Sequence, residues 1–394
     1  MVRYGEGWQI PVFSEEEGKR RWRLIREMMT AREIDCLVIA GHVGNYRASY
    51  ADIRYVSNFI NWYDDEYCVF PLEEDPTLYV WARQHEYWAK KVSWIPHVVT
   101  AAKHGGAGYV ASAVNRIREL GLERGTIGLA QLRVMPTYFY MGITRELPNA
   151  RFVDAGDIMR AARLIKSPEE IEMVRKAGEC ADIGYTAMRE TARPGITEYD
   201  LIAEVERAMI KAGAECGSFT LFNTKQWPDG WGFPVNGSNR LLQKGDIILN
   251  EITPCFGGYF VQLCRPICLG KPPQDFLEMF EVYKGIYEMG REGYRSGNVL
   301  SEVDAKAEQF AKSKRPFSYA SACFQMMDSI TTNPPFMGTL KPGIVCVIHP
   351  WCHPSEADMN AGRGHLGHIC GDTCISTEGA AECVSKIPNE IAVV

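Results

Sequence analysis

The chain has 394 residues, 46% of them hydrophobic, enough for two domains or one large one with a substantial core. Its 43 basic and 49 acidic residues give a net charge of -6 without any basic stripe, which argues against a nucleic-acid partner. No apolar run approaches the ~20 residues of a membrane span, and the polar start, Met1 to Glu6, has no signal-peptide core, so a soluble cytoplasmic protein is expected.

Elements follow one another in a readable order. Ser14 is an N-cap candidate with Glu17 at capping-box spacing, and Trp22, Ile25, Met28 and Met29 mark one helix face behind it. Strands are predicted over Cys36–Ala40, Cys68–Pro71 and Thr77–Ala82, then a helix over Gly108–Leu120 and another strand at "GTIGLA". Strand and helix alternate, so residues 1–160 read as a compact α/β domain. At the join, Ser167 precedes Pro168, Glu169 and Glu170, a capped helix start with acids where the helix dipole favours them. Pro194-Gly195 stops that helix, and Thr197 with Glu198 starts the next. Past Gly217 the chain turns strand-rich, with helices near Pro273–Ser296 and Glu302–Lys312, so residues 161–394 read as α+β. Thirteen cysteines carry no C-x-x-C spacing and sit mostly among apolar residues, as reduced core thiols do.

Six stretches, "IKSPEEIEMVRKAGECADIG", "ARPGITEYDL", "GDIILNE", "GGYFVQLCRPICLG", "LKPGIVCVIHP" and "TEGAAECV", resemble in order the segments of the pita-bread superfamily. That superfamily holds prolidase, aminopeptidase P, methionine aminopeptidase and creatinase. "DIRYVSNF" resembles the N-terminal-domain segment shared by prolidase and creatinase. The resemblance implies a creatinase-like α/β domain followed by a pita-bread domain with a curved antiparallel sheet. Metallopeptidases of this kind hold two divalent cations with two Asp, one His and two Glu. Registering the segments puts Glu251 and Gln262 at the Asp positions, Cys323 near the His, His349 at the first Glu, and Gly371, just before Asp372, at the second. One surviving carboxylate cannot neutralise two divalent ions, so no cofactor and no paired metal is expected. A single zinc on Glu251, Cys323 and His349 is the metal-bearing alternative.

Creatinase resembles the peptidases in fold and works without metal. The resemblance implies a catalytic His in the loop that here reads "NTKQWPDGWGFPVNGSN" and contains none. Proton transfer must then come from elsewhere. His349, His353, His365 and His368 cluster near the C-terminus, with His349 the first choice for the shuttle and His365 the second. Glu251, desolvated without cations, is expected to assist, and Cys323 is a nucleophile candidate if His349 activates it. Gln262 and Arg265 are assigned to an anionic or carbonyl end of the substrate. The creatinase-like dimer closes an N-terminal loop over the partner's pocket, and "NFINWYDDEY" resembles that loop. Trp62, Tyr63, Asp64, Glu66 and Trp231, with Trp227, would then frame a cationic or aromatic end. The expectation is a homodimeric, metal-independent small-molecule enzyme that hydrolyses a C–N bond or acts as a lyase. A catalytically inactive binding module on the same fold is the alternative from another class.

Overall fold

The computed structural model describes residues 3–4, 11–41, 50–61, 65–101, 106–215, 219–227, 237–326, 336–361 and 367–394. The chain divides into two compact units, Met1–Glu169 and Glu170–Val394. The division falls inside the helix Pro168–Thr191, later than the 160/161 boundary expected from sequence.

In the first unit six strands form one mixed sheet, in the order His97–Thr100, Thr77–Val80, Glu66–Pro71, Cys36–Gly41, Thr126–Ala130, Arg151–Asp154. The central strand "CLVIAG" is buried along its whole length. Its side chains alternate between two cores: Leu37 and Ile39 pack on one face with Ile25 and Met29, Cys36, Val38 and Ala40 on the other with Ala113 and Ile117. A strand without a polar face therefore signals a sheet covered by helices on both sides. At the first helix, Glu15–Ala31, Ser14 accepts the Glu17 N–H at 3.1 Å. The reciprocal half of the box is missing, because the Ser14 N–H donates to Glu169 Oε2 at 2.9 Å, while the Glu17 carboxylate accepts from Arg20 and Arg21 at 2.8 and 2.7 Å.

The second unit is built on a nine-stranded sheet whose main path runs Phe324–Gln325, Val345–Ile348, Gly371–Ile375, Leu263–Cys264, Asp246–Thr253, Ile267–Cys268, Ala392–Val393. Phe219–Gln226 also pairs with Asp246–Thr253, and Glu382–Cys383 with Gly371–Ile375. All these pairings are antiparallel except the last on the path, where Ile267–Cys268 runs parallel to Ala392–Val393. The helices Glu198–Lys211, Gln274–Gly293 and Leu300–Lys314 accompany the sheet. Gly195, at φ +92°, supplies the left-handed turn after the helix Pro168–Thr191, and Thr197 with Asp200 closes a complete capping box on the next. Among the described residues no helix is long and apolar enough to cross a membrane.

Candidate active site

Asp246–Thr253 is buried at every position, and that places Glu251 in the interior at 3% exposure. The pairing of Ile252 with Leu263 sets Gln262 diagonally across from Glu251. The Gln262 amide N–H donates to Glu251 Oε2 at 2.9 Å and to Thr253 Oγ1 at 3.3 Å. Burial pushes the Glu251 carboxyl up to about 7, with the Gln262 hydrogen bond only partly opposing. Glu251 is therefore an acid poised near neutrality with a neutral amide beside it.

His349 follows the strand Val345–Ile348 and, by continuation of the Ile348–Asp372 register, stands opposite Gly371. A Cβ at residue 371 would meet the His349 Cβ at 2.5 Å and its Cα at 2.9 Å. The glycine is the space the imidazole strand needs. His368, 2% exposed, lays its ring flat on His349, with centroids 3.7 Å apart and planes 3° from parallel. His368 Nδ1 donates to the carbonyls of His349 and Pro350 at 2.9 and 3.1 Å, which leaves Nε2 as the lone-pair nitrogen, 3.9 Å from Glu251 Oε1. His349 Nε2 donates to Gln325 Oε1 at 3.1 Å, which makes Nδ1 its acceptor nitrogen. Burial drives both imidazoles toward the neutral form, His368 down to about 4 and His349 well below its ordinary value, His368 adding to the latter effect. Three buried polar atoms here have no hydrogen-bond partner among the described residues: Glu251 Oε1, Gln262 Oε1 and His349 Nδ1. Such orphans each cost ~1–3 kcal/mol and mark a place for a ligand or water.

Donor atoms of Glu251, His349 and His368 lie within 4.8 Å of one another, so the set has the composition of a metal site. As placed, however, the two imidazoles do not converge on one point. An ion bound by both imidazoles must lie in both ring planes, and stacked, nearly parallel rings have no common line at bonding distance. A paired-cation centre fits less well, since Gln262 is neutral and residue 371 has no room for a carboxylate beside His349.

His368, ranked behind His365 on sequence, is thus the partner of His349, while His365 lies outside the described residues. Arg265 is not turned toward a ligand. All five of its N–H groups are taken, by Asp372 Oδ2 at 2.8 Å and by the carbonyls of Pro388, Cys264, Gly371 and Ile387. It also pairs with Asp372 rather than with Glu251. Cys323 sits in the left-handed region at φ +53°, and burial followed by the charge of Asp304 pushes its thiol up to about 12. It is a protonated core thiol, not an activated nucleophile. Glu66 belongs to a strand that begins two residues earlier than expected; it is 0% exposed, and burial holds its carboxyl well above the usual range. Trp227 ties its indole N–H to Asp275 at 2.8 Å. Trp62, Tyr63, Asp64 and Trp231 lie outside the described residues.

Comparison with known proteins matches residues 172–378 to metallopeptidase family M24 and residues 21–165 to the creatinase/prolidase N-terminal domain. A creatinase from Bacillus sp. is 25% identical over 402 residues, covering 96% of this chain and 92% of its own. An ectoine hydrolase from Halomonas elongata is 24% identical over 329 residues, covering 76% of this chain and 78% of its own. Among solved structures, an X-Pro aminopeptidase from Thermotoga maritima superposes with a TM-score of 0.78 at 19% identity, over 95% of this chain and 99% of that one. The prolidase from Pyrococcus horikoshii gives 0.76 at 22% identity, over 94% and 99%. These likenesses establish the two-domain creatinase/prolidase fold with its C-terminal pita-bread domain, and the relatives are hydrolases.

Proposed function

The chain belongs to metallopeptidase family M24, and we propose that within it this protein is a metal-independent hydrolase of a C–N bond in a small molecule. The observation that carries this reading is the stacked imidazole pair facing a buried, protonatable Glu251, where an ion could not satisfy both rings. Hydrolysis adds water across the bond. His349 Nδ1, an acceptor without a partner, takes a proton as water attacks the carbon. Glu251 gives its proton to the departing nitrogen, and an acid near 7 is matched to that work at neutral pH. Once the products leave, solvent carries the proton from His349 back to Glu251. His368 holds the His349 ring in place by stacking and presents its lone pair to Glu251. Gln262, whose own oxygen is without a partner, orients Glu251 and is the group best placed to receive an N–H of the substrate.

The names of the relatives direct the choice of assay: creatine, ectoine and an Xaa-Pro dipeptide are the first compounds to try. Purified protein should release ammonia or an amine from one such small substrate, equally well before and after dialysis against a chelator. Elemental analysis should find dication far below one per chain. Stoichiometric metal, with activity lost on chelation and regained on re-addition, would sink the reading. It would favour instead a single divalent ion on Glu251, His349 and His368, the second reading that their clustering supports. His349→Ala separates enzyme from binding module, since turnover should collapse while the protein still folds. A homodimer is part of the proposal and is checked by sedimentation at assay concentration.

A further inference from the structure

Two thiols outside the pocket stand side by side. Cys374 on the strand Gly371–Ile375 is directly paired with Cys383 on Glu382–Cys383. Val384 N–H donates to Thr373 O at 3.0 Å, so Thr373 and Val384 are a hydrogen-bonded pair. The next pair along, Cys374 with Cys383, is then non-hydrogen-bonded, the position where antiparallel strands bring side chains closest, with Cα atoms ~4.5 Å apart. That separation lies within the range a disulfide spans. The two sulfurs are already 2.9 Å apart.

The pair is also asymmetric. Of the twelve described cysteines, all free, Cys383 alone is only partly buried. Its sulfur contacts the Tyr287 hydroxyl at 3.4 Å, and Arg291 adds a positive charge nearby. The contact with Cys374, then Tyr287 and Arg291, draws the Cys383 thiol below its ordinary value against burial and Asp372, while burial holds Cys374 well above. One sulfur is accessible and tends to ionise; the other waits behind it, protonated.

We propose that Cys374 and Cys383 are a peroxide-oxidised dithiol that closes to a reversible disulfide. The Cys383 thiolate attacks hydrogen peroxide, its sulfur bonds one oxygen as the O–O bond breaks, and the other oxygen leaves as water after taking a proton. The Cys374 sulfur then attacks the Cys383 sulfenic acid, the S–S bond forms, and the hydroxyl departs as a second water with the Cys374 proton. Two thiols are oxidised and one peroxide is reduced. Closure needs the sulfurs to move from 2.9 Å to the ~2.05 Å of the bond, without any change of strand register.

The full-length protein is treated with a small excess of hydrogen peroxide, unfolded in alkylating reagent and mapped by mass spectrometry. Expected are a peptide pair joined through Cys374 and Cys383, lighter by two hydrogens, and its disappearance on adding dithiothreitol. Cys374→Ser should trap the sulfenic acid on Cys383, seen as a dimedone adduct. Cys383→Ser should leave Cys374 reduced. The proposal is overturned if both thiols of the wild-type protein stay alkylatable. It is equally overturned if Cys383 passes to the sulfinic acid with Cys374 still reduced, or if another pair links first. The wild-type map decides even where a serine variant does not fold.

Discussion

Glu251 and Asp372 are two acids of one sheet, both almost without exposure, and they are treated in opposite ways. Asp372 takes the Arg265 guanidinium at 2.8 Å and the Tyr287 hydroxyl at 3.4 Å on one oxygen. Arg265 in turn has every N–H satisfied, two of the five by carbonyls from the far end of the chain. Glu251 receives one neutral amide and faces neutral imidazoles. Burial raises both acids, Asp372 to about 6 against the pull of Arg265 and Glu251 to about 7. The difference separates a charge held in place to join strands from a proton kept available for exchange.

The contrast can be broken most forcefully at Glu251. Glu251→Gln keeps shape and hydrogen bonding but removes the transferable proton, so turnover should fall ~10²–10⁴-fold with the circular dichroism spectrum unchanged. Retained turnover would put Glu251 in the same structural class as Asp372. At the other acid, Arg265→Met leaves a buried carboxylate alone and should lower the urea unfolding free energy by ~3–5 kcal/mol. A loss no larger than the ~1 kcal/mol of an exposed pair would dissolve the comparison from that side.

Titration sharpens it further. Between the ordinary 4.5 of a free Glu and about 7, the folded chain keeps a proton on Glu251 that the unfolded chain has released. Stability therefore falls as pH rises through this window, by about 3 kcal/mol in all, and Glu251→Gln abolishes that fall. His368, lowered from 6.5 to about 4, works the other way: the unfolded chain binds the extra proton there, so stability rises with pH across that span. His349 adds to the rise and Asp372 to the fall, so the readout is the difference between the two proteins, which should change by about 3 kcal/mol across this window. Flat, identical profiles for the two proteins would refute the Glu251 assignment. The smallest effect sets the scale: Thr197→Ala, far from either acid in kind, removes a helix cap and should cost about 1 kcal/mol in thermal or urea melts.

Much of the fold is legible along the chain because its cues are local. The all-apolar "CLVIAG" announces a strand covered on both faces, and Pro-Gly before Thr197 announces one helix ending and another beginning. Glu251 and Gln262 are legible as a pair through the resemblance, which puts both at the aspartate positions, and the Ile252–Leu263 register brings them together. The rest depends on distant chain. Nothing near Arg265 in sequence says that the carbonyls of Ile387 and Pro388 will take its N–H groups. Nor does any local pattern say that His368, rather than a neighbouring histidine, will lie flat on His349. Glu66 reads on sequence as an acid for a cationic group, and nothing local says that the strand beginning there will turn it inward.

The missing Cβ at Gly371 also constrains how such a pocket can change. Restoring an acid at 371 alone would drive its side chain into the backbone of the facing residue, and restoring one at 349 alone would leave a single new carboxylate with no counterpart across the strands. A side chain at 371 therefore requires a change at 349 as well. Small against large across one rung of a sheet thus ties the two positions together, so that neither can be exchanged alone.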